Sequence, residues 1–91
     1  MKKAVKVYIH GAVQGVFFRT FIKESADKLK VYGYVRNLED GRVEAWFEGD
    51  SKVVNNMIEV CRAGPPHSQI KRIDIVDEKL QDMKEFKILH I

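Results

Sequence analysis

Nine residues, GAVQGVFFR from Gly11 to Arg19, combine two glycines, no acidic side chain and a closing arginine. Glycine adopts positive φ without steric cost, so Gly11 and Gly15 can bend the chain until successive main-chain N–H groups converge into a concave nest. If the run also opens a helix, the unsatisfied N–H groups and partial positive charge of the helix N-terminus add to that nest. Arg19 supplies a guanidinium that stays charged at any working pH and can hold two phosphate oxygens at once. These residue types suit the binding of a tetrahedral oxyanion. A carboxylate within the run would repel such a ligand, and none is present. The run lacks the lysine–serine ending of a Walker loop and does not match GxGxxG. A plain strand-to-helix connector, which often contains glycine, is the alternative reading of the same residues.

The flanking elements follow from periodicity. VKVYIH, Val5 to His10, alternates and is rich in β-branched residues, as a half-buried strand is. Phe18, Phe21, Ile22, Ala26 and Leu29 share one face of a helix that ends near Val31. GYVRNLEDGRVEAWFEG reads as a hairpin turning at Asp40-Gly41. In its second strand Val43, Ala45 and Phe47 face the core, and Glu44, Trp46 and Glu48 form a largely polar outer face. Asp50 or Ser51 caps a second helix whose stripe is Val53, Val54, Met57, Ile58 and Cys61. Gly64 and Pro65-Pro66 end that helix. A strand is expected from about Ile70, and FKILHI gives a short terminal strand. The order predicts an α+β, ferredoxin-like βαββαβ sandwich: an antiparallel sheet with two helices on one face and a short C-terminal strand. That fold serves many functions and decides none of them.

With 91 residues, a single domain over 1–91 with one modest core is expected. A net charge of +3 is compatible with anionic partners, but the lysines are spread along the chain. No apolar run approaches the ~20 residues of a membrane span. The amino-terminal MKKAVKVYIHG alternates like a strand, unlike a signal peptide. Cys61 is the only cysteine, which excludes an internal disulfide and fits a cytoplasmic setting; its place on the helix stripe makes it a buried, inert thiol.

GAVQGVFFR resembles the first signature of the acylphosphatase family, which runs Gly, any, Val-Gln-Gly-Val, any, Phe-Arg. The segment from Gly33 to Gly49 resembles the second, and GPP after the second helix and a closing FxI are further similarities, so the resemblance covers essentially the whole chain. It implies hydrolysis of acyl phosphates. It also implies a phosphoryl group held by the amides of Gly11, Ala12, Val13, Gln14, Gly15, Val16, Phe17 and Phe18 and by Arg19, with Asn37 orienting the attacking water. Gln14 is read chiefly as a brace within the loop. Phe17 fills an open position of the signature with an unusual residue: many relatives carry glycine or cysteine there, and a phenyl ring could narrow the mouth or stiffen the loop.

The matched residues include no carboxylate pair, no cysteine and no serine–histidine pair, and His10, His67 and His90 show no metal-ligand spacing. Without a strong general acid the leaving group must depart unprotonated. A carboxylate meets that condition, since its conjugate acid has a pKa of about 4; an alkoxide does not. Mixed carboxylic–phosphoric anhydrides are therefore the expected substrates. No cofactor and no metal are expected, inorganic phosphate or other anions would be product-like ligands, and a monomer is expected that binds neither nucleic acid nor membrane. Two rivals follow from the same residues. One is an RNA-binding domain using Tyr8 and Trp46 as a stacking face, although Glu44 and Glu48 flank that tryptophan. The other is a non-catalytic acyl- or carbamoyl-phosphate module of the kind found inside a hydrogenase-maturation protein, against which the absence of attached zinc-finger segments favours a stand-alone enzyme.

Overall fold

The computed structural model describes residues 1–90. Its elements are β1 (Lys2–Ala12), α1 (Val16–Leu29), β2 (Tyr32–Asn37), β3 (Val43–Asp50), α2 (Ser51–Ala63), β4 (Gln69–Glu78) and β5 (Phe86–Ile88). They form one five-stranded sheet in the order β4-β1-β3-β2-β5. The pairs β1–β3, β1–β4 and β2–β3 are antiparallel, and β5 runs parallel to β2. The sheet is therefore mixed. Its antiparallel part is the one expected from alternation, and the parallel strand is an addition at one edge.

The inward residues of β1 and β3, among them Val5, Val7, Ile9, Val43, Ala45 and Phe47, form one cluster with Phe18, Ile22 and Ala26 of α1 and Val54, Met57, Ile58 and Cys61 of α2. Each large apolar side chain fully buried there stabilises the fold by roughly 1.5–3 kcal/mol. Helix α2 begins where Asp50 accepts a hydrogen bond from the Lys52 N–H, and ends at Gly64 with φ 69°. Cys61 is fully buried, and burial pushes its thiol pKa up, away from the reactive thiolate. No helix among the described residues is long and apolar enough to cross a membrane.

The second face of β3 departs from expectation. Glu44, Trp46 and Glu48 are 5%, 7% and 4% exposed. Tyr34 and Arg36 cover Glu44, donating to its carboxylate at 3.0 and 2.9 Å. Trp46 stacks on Tyr34 and gives its indole N–H to Glu48 at 3.0 Å. Glu48 also accepts from the main-chain N–H groups of Gln81 and Met83, which bind the segment before β5 across the sheet. Alternation correctly separated the two faces but could not reveal that a segment more than thirty positions later would cover the polar one. The indole is not an exposed stacking platform.

Burial alone would raise the Glu48 carboxyl, but N–H donors from Gln81, Trp46 and Met83 outweigh it and hold the group below its ordinary 4.5. A depressed folded pKa stabilises fully above the ordinary value and loses that contribution as pH falls through the folded one. Glu48→Ala should therefore cost about 2–3 kcal/mol at pH 7, since buried donors lose their acceptor. The difference from wild type should shrink at pH 3; urea denaturation at both pH values checks it.

Candidate active site

The first segment singled out from sequence straddles three elements. Gly11 and Ala12 end β1, residues 13–15 form the loop, and Val16, Phe17, Phe18 and Arg19 make the first turn of α1. The β1–β4 register shifts between His10 and Gly11. Gly11 has φ 137°, and a Cβ there would sit 2.0 Å from the Gln69 carbonyl oxygen, so only glycine lets the strand pass β4 at this point. Gly15 has φ 113° and open space around it; its requirement is conformational alone.

Val13 and Phe18 plug into the core from either end of the loop, while Ala12, Gln14, Gly15, Val16 and Phe17 face solvent. Between those anchors the loop is tied down by one side chain. The Gln14 amide donates to the carbonyl oxygens of Arg42 at 2.9 Å and Leu38 at 3.3 Å. Those same carbonyls close the β2–β3 connection, Arg42 O accepting from Leu38 N and Leu38 O from Gly41 N. The connection is stiffened further by Arg42, which pairs with Asp40 at 2.8 Å and stacks over Tyr8. Gln14 is thus a brace, as its sequence suggested, and its partner is the hairpin that begins immediately after Asn37.

The two helices start differently. Helix α2 has its Asp50 cap, whereas α1 begins at Gly15 with no side-chain cap and no acidic residue in its first turn. Among the described residues, no turn or loop hydrogen bond uses the main-chain N–H of residues 13, 14 or 15. The result is a run of donors next to the positive end of a helix, the electrostatic arrangement that favours an anion.

Arg19 and Asn37 come together. Arg19 lies in the first turn of α1, Asn37 at the last position of β2, and both line one cleft of about 390 Å³ with Leu89 and His90. Each carries a buried polar atom without a partner, Nε of Arg19 and Oδ1 of Asn37. Native proteins seldom leave such atoms unpaired, and a site awaiting a ligand or water is one physical reason for it. Ala12, Gln14, Phe17 and Phe18 border a second, more apolar cleft of about 480 Å³ with Pro65, Pro66, His67 and Ser68. Phe17 is 88% exposed on that side, so its ring does not close the Arg19 cleft.

The whole fold and the two signature segments coincide with one family. Its sequence model, Acylphosphatase, matches residues 5–88. The chain belongs to the acylphosphatase family. An acylphosphatase of Syntrophus aciditrophicus is 46% identical over 91 residues, covering 99% of this chain and 95% of the relative. The crystal structure of acylphosphatase from Bacillus subtilis superposes with a TM-score of 0.92 at 34% identity, covering 99% of this chain and 100% of that one. Full-length HypF in its phosphate- and nucleotide-bound form also contains the fold, at TM-score 0.87 and 29% identity, with 99% of this chain matching 12% of that larger one. Membership makes this chain an acid-anhydride hydrolase by family, and the family acts on small acyl phosphates.

Three residues outside the signature roles have partners here. His90, one of three histidines without a pattern, lies against Arg19, with Nδ1 3.2 Å from Nη1. Only the parallel docking of β5 onto β2 brings the C-terminal end there, and no local signal encodes it. His10, another of those histidines, pairs with Asp74 at 2.9 Å. Arg36 of β2 binds Glu44. Among the described residues no group of three or more His, Cys, Asp or Glu is gathered to hold a metal ion.

Gln14→Met keeps side-chain length and removes both hydrogen bonds to the hairpin. It should lower stability by about 1 kcal/mol, the net worth of such bonds near solvent. Phe17→Ala, changing an exposed ring, should stay within about 0.5 kcal/mol of wild type. Paired urea titrations of the two variants check the contrast.

Proposed function

We propose that residues 1–91 act as a single domain that hydrolyses acyl phosphates by one-step, in-line attack of water on phosphorus. Main-chain N–H groups of Gly11 to Phe18 and the guanidinium of Arg19 hold the phosphoryl oxygens, and Asn37 positions the water. The observation that carries this reading is the convergence of Arg19 and Asn37, each with an unpartnered buried polar atom, beside a helix start left uncapped.

Each part has a defined chemical task. Charge on the phosphoryl oxygens is offset by preorganised donors and by the cation, which together favour the transition state over bulk water. Asn37 Oδ1 can accept from the water while its NH₂ donates to substrate. An amide is far too weak to be a base, so the proton passes to a phosphoryl oxygen as the new P–O bond forms. The bond from phosphorus to the acyl oxygen breaks, and the carboxylate leaves unprotonated because its conjugate acid is already strong, with a pKa of about 4. No other catalytic group is required, which matches the sparse lining of the cleft. We place the enzyme in the cytoplasm as a monomer, on its lone buried cysteine and modest net charge.

Benzoyl phosphate, followed by loss of the anhydride with and without a chelator, tests the proposal. Chelator-insensitive hydrolysis is expected. Arg19→Ala should lower kcat/KM by about 10²–10³, the loss typical of one preorganised donor. Asn37→Ala should lower kcat with little change in KM. No hydrolysis by the wild type would leave a binding module, and full turnover in Asn37→Ala would remove that residue from the mechanism.

A further inference from the structure

The C-terminal residues return to the candidate site. After β5 has paired with β2, Leu89 donates its N–H to Val35 O at 2.9 Å, which carries the alignment one residue past the strand. His90 then falls beside Arg19, Nδ1 to Nη1 at 3.2 Å, in the cleft they share with Asn37. A guanidinium has only donors and does not lose its proton, so the direction of this bond is fixed: Arg19 donates and Nδ1 accepts. The ring in this arrangement is neutral, with its proton on Nε2.

We propose that His90 is a positioning residue. Its neutral imidazole holds Nη1 of Arg19 and thereby sets the plane of the guanidinium. The buried, unpartnered Nε and the adjoining Nη2 are then left as the edge that takes two oxygens of the phosphoryl group. The proposal rests on the reading of Arg19 as the phosphoryl-binding cation. It has a consequence that simple packing would not: protonation of Nδ1 fills the accepting lone pair and sets two cations side by side. The groups facing His90 are Arg19 from α1 and the uncharged Asn37 from β2, beside its own neighbour Leu89, and among the described residues no carboxylate lines the cleft to retain an imidazolium. Lys23, one turn further along α1, is engaged by Asp27 and Phe86 O. The tether is therefore released in acid.

His90→Ala and His90→Asn separate these effects, because Asn Oδ1 stands the same number of bonds from Cβ as His Nδ1 and accepts without titrating. Calorimetric titration with inorganic phosphate at neutral pH should show His90→Ala about 2–10-fold weaker than wild type, because an untethered Arg19 must be ordered when the anion binds. His90→Asn should lie within about 2-fold of wild type on the same basis. KM for benzoyl phosphate should rise in His90→Ala more than kcat falls. In acid, once Nδ1 carries a proton, the wild type should approach His90→Ala, while His90→Asn keeps its own neutral-pH affinity relative to the common change in the phosphate ion. Unaltered phosphate affinity in His90→Ala, no rescue by His90→Asn, or identical pH profiles for wild type and His90→Asn would each overturn the proposal. Ligand-free NMR of the Arg19 side chain gives a readout independent of activity: restricted rotation of its Nη groups in wild type and free rotation in His90→Ala are expected. If the wild type neither binds phosphate nor hydrolyses benzoyl phosphate, the proposed function fails and this signal still decides the tether; identical signals in an active enzyme defeat the tether alone.

Discussion

Hydrogen-bond donors without partners are the constraint around which this molecule is arranged. An unsatisfied buried donor costs about 1–3 kcal/mol, and a folded chain normally removes that cost with a cap. Helix α2 does so through Asp50. Helix α1 does not; the loop before it contributes further free N–H groups, and its own first turn carries a guanidinium whose Nε is enclosed and unpaired. The local arrangement is therefore held by its surroundings. Val13 and Phe18 fix the two ends of the loop in the core. The Gln14 amide ties its middle to the β2–β3 hairpin, and Gly11 lets β1 pass β4 while the chain turns.

The sheet converts that local arrangement into a site. Strands β1 and β2 are separated by β3, yet Asn37 at the end of β2 reaches the cleft of Arg19 because the Gln14 brace engages the hairpin one residue beyond it. The rigid far face supports the same geometry. Glu44 and Glu48 are buried and hydrogen-bonded, and these bonds tie β2, β3 and the segment leading to β5 together. The chemistry that the proposed mechanism asks of the cleft is modest, since in it a carboxylate leaves without a proton. Binding, orientation and fixed charge are enough, and these are what a small rigid fold with few ionisable groups supplies.

Much of this was legible in the residues themselves. Alternation in VKVYIH and RVEAWFEG, the helical stripes from Phe18 to Leu29 and from Val53 to Cys61, and the stop at Gly64 are local signals, and each element formed near its expected bounds. The glycines of the loop and the guanidinium after it also declared their chemistry, because φ preference and charge are properties of single residues. What stayed hidden depends on contacts distant in sequence. Periodicity gives the two faces of β3 but not what covers them, so the burial of Glu44 and Glu48 had no signal before the segment around Gln81 was placed. His90 is the sharpest case: its place beside Arg19 follows from a parallel strand pairing more than fifty positions away, and a lone histidine near a terminus has no pattern to read.

The central claim is that loop amides and one guanidinium together grip a phosphoryl group. Amide-resolved NMR during titration with inorganic phosphate tests it most directly. Saturable shifts confined to the main-chain N–H signals of residues 11–18, the Arg19 Nε–H and the Asn37 side chain are the predicted result. Shifts centred instead on scattered surface lysines, with those signals unmoved, would contradict it.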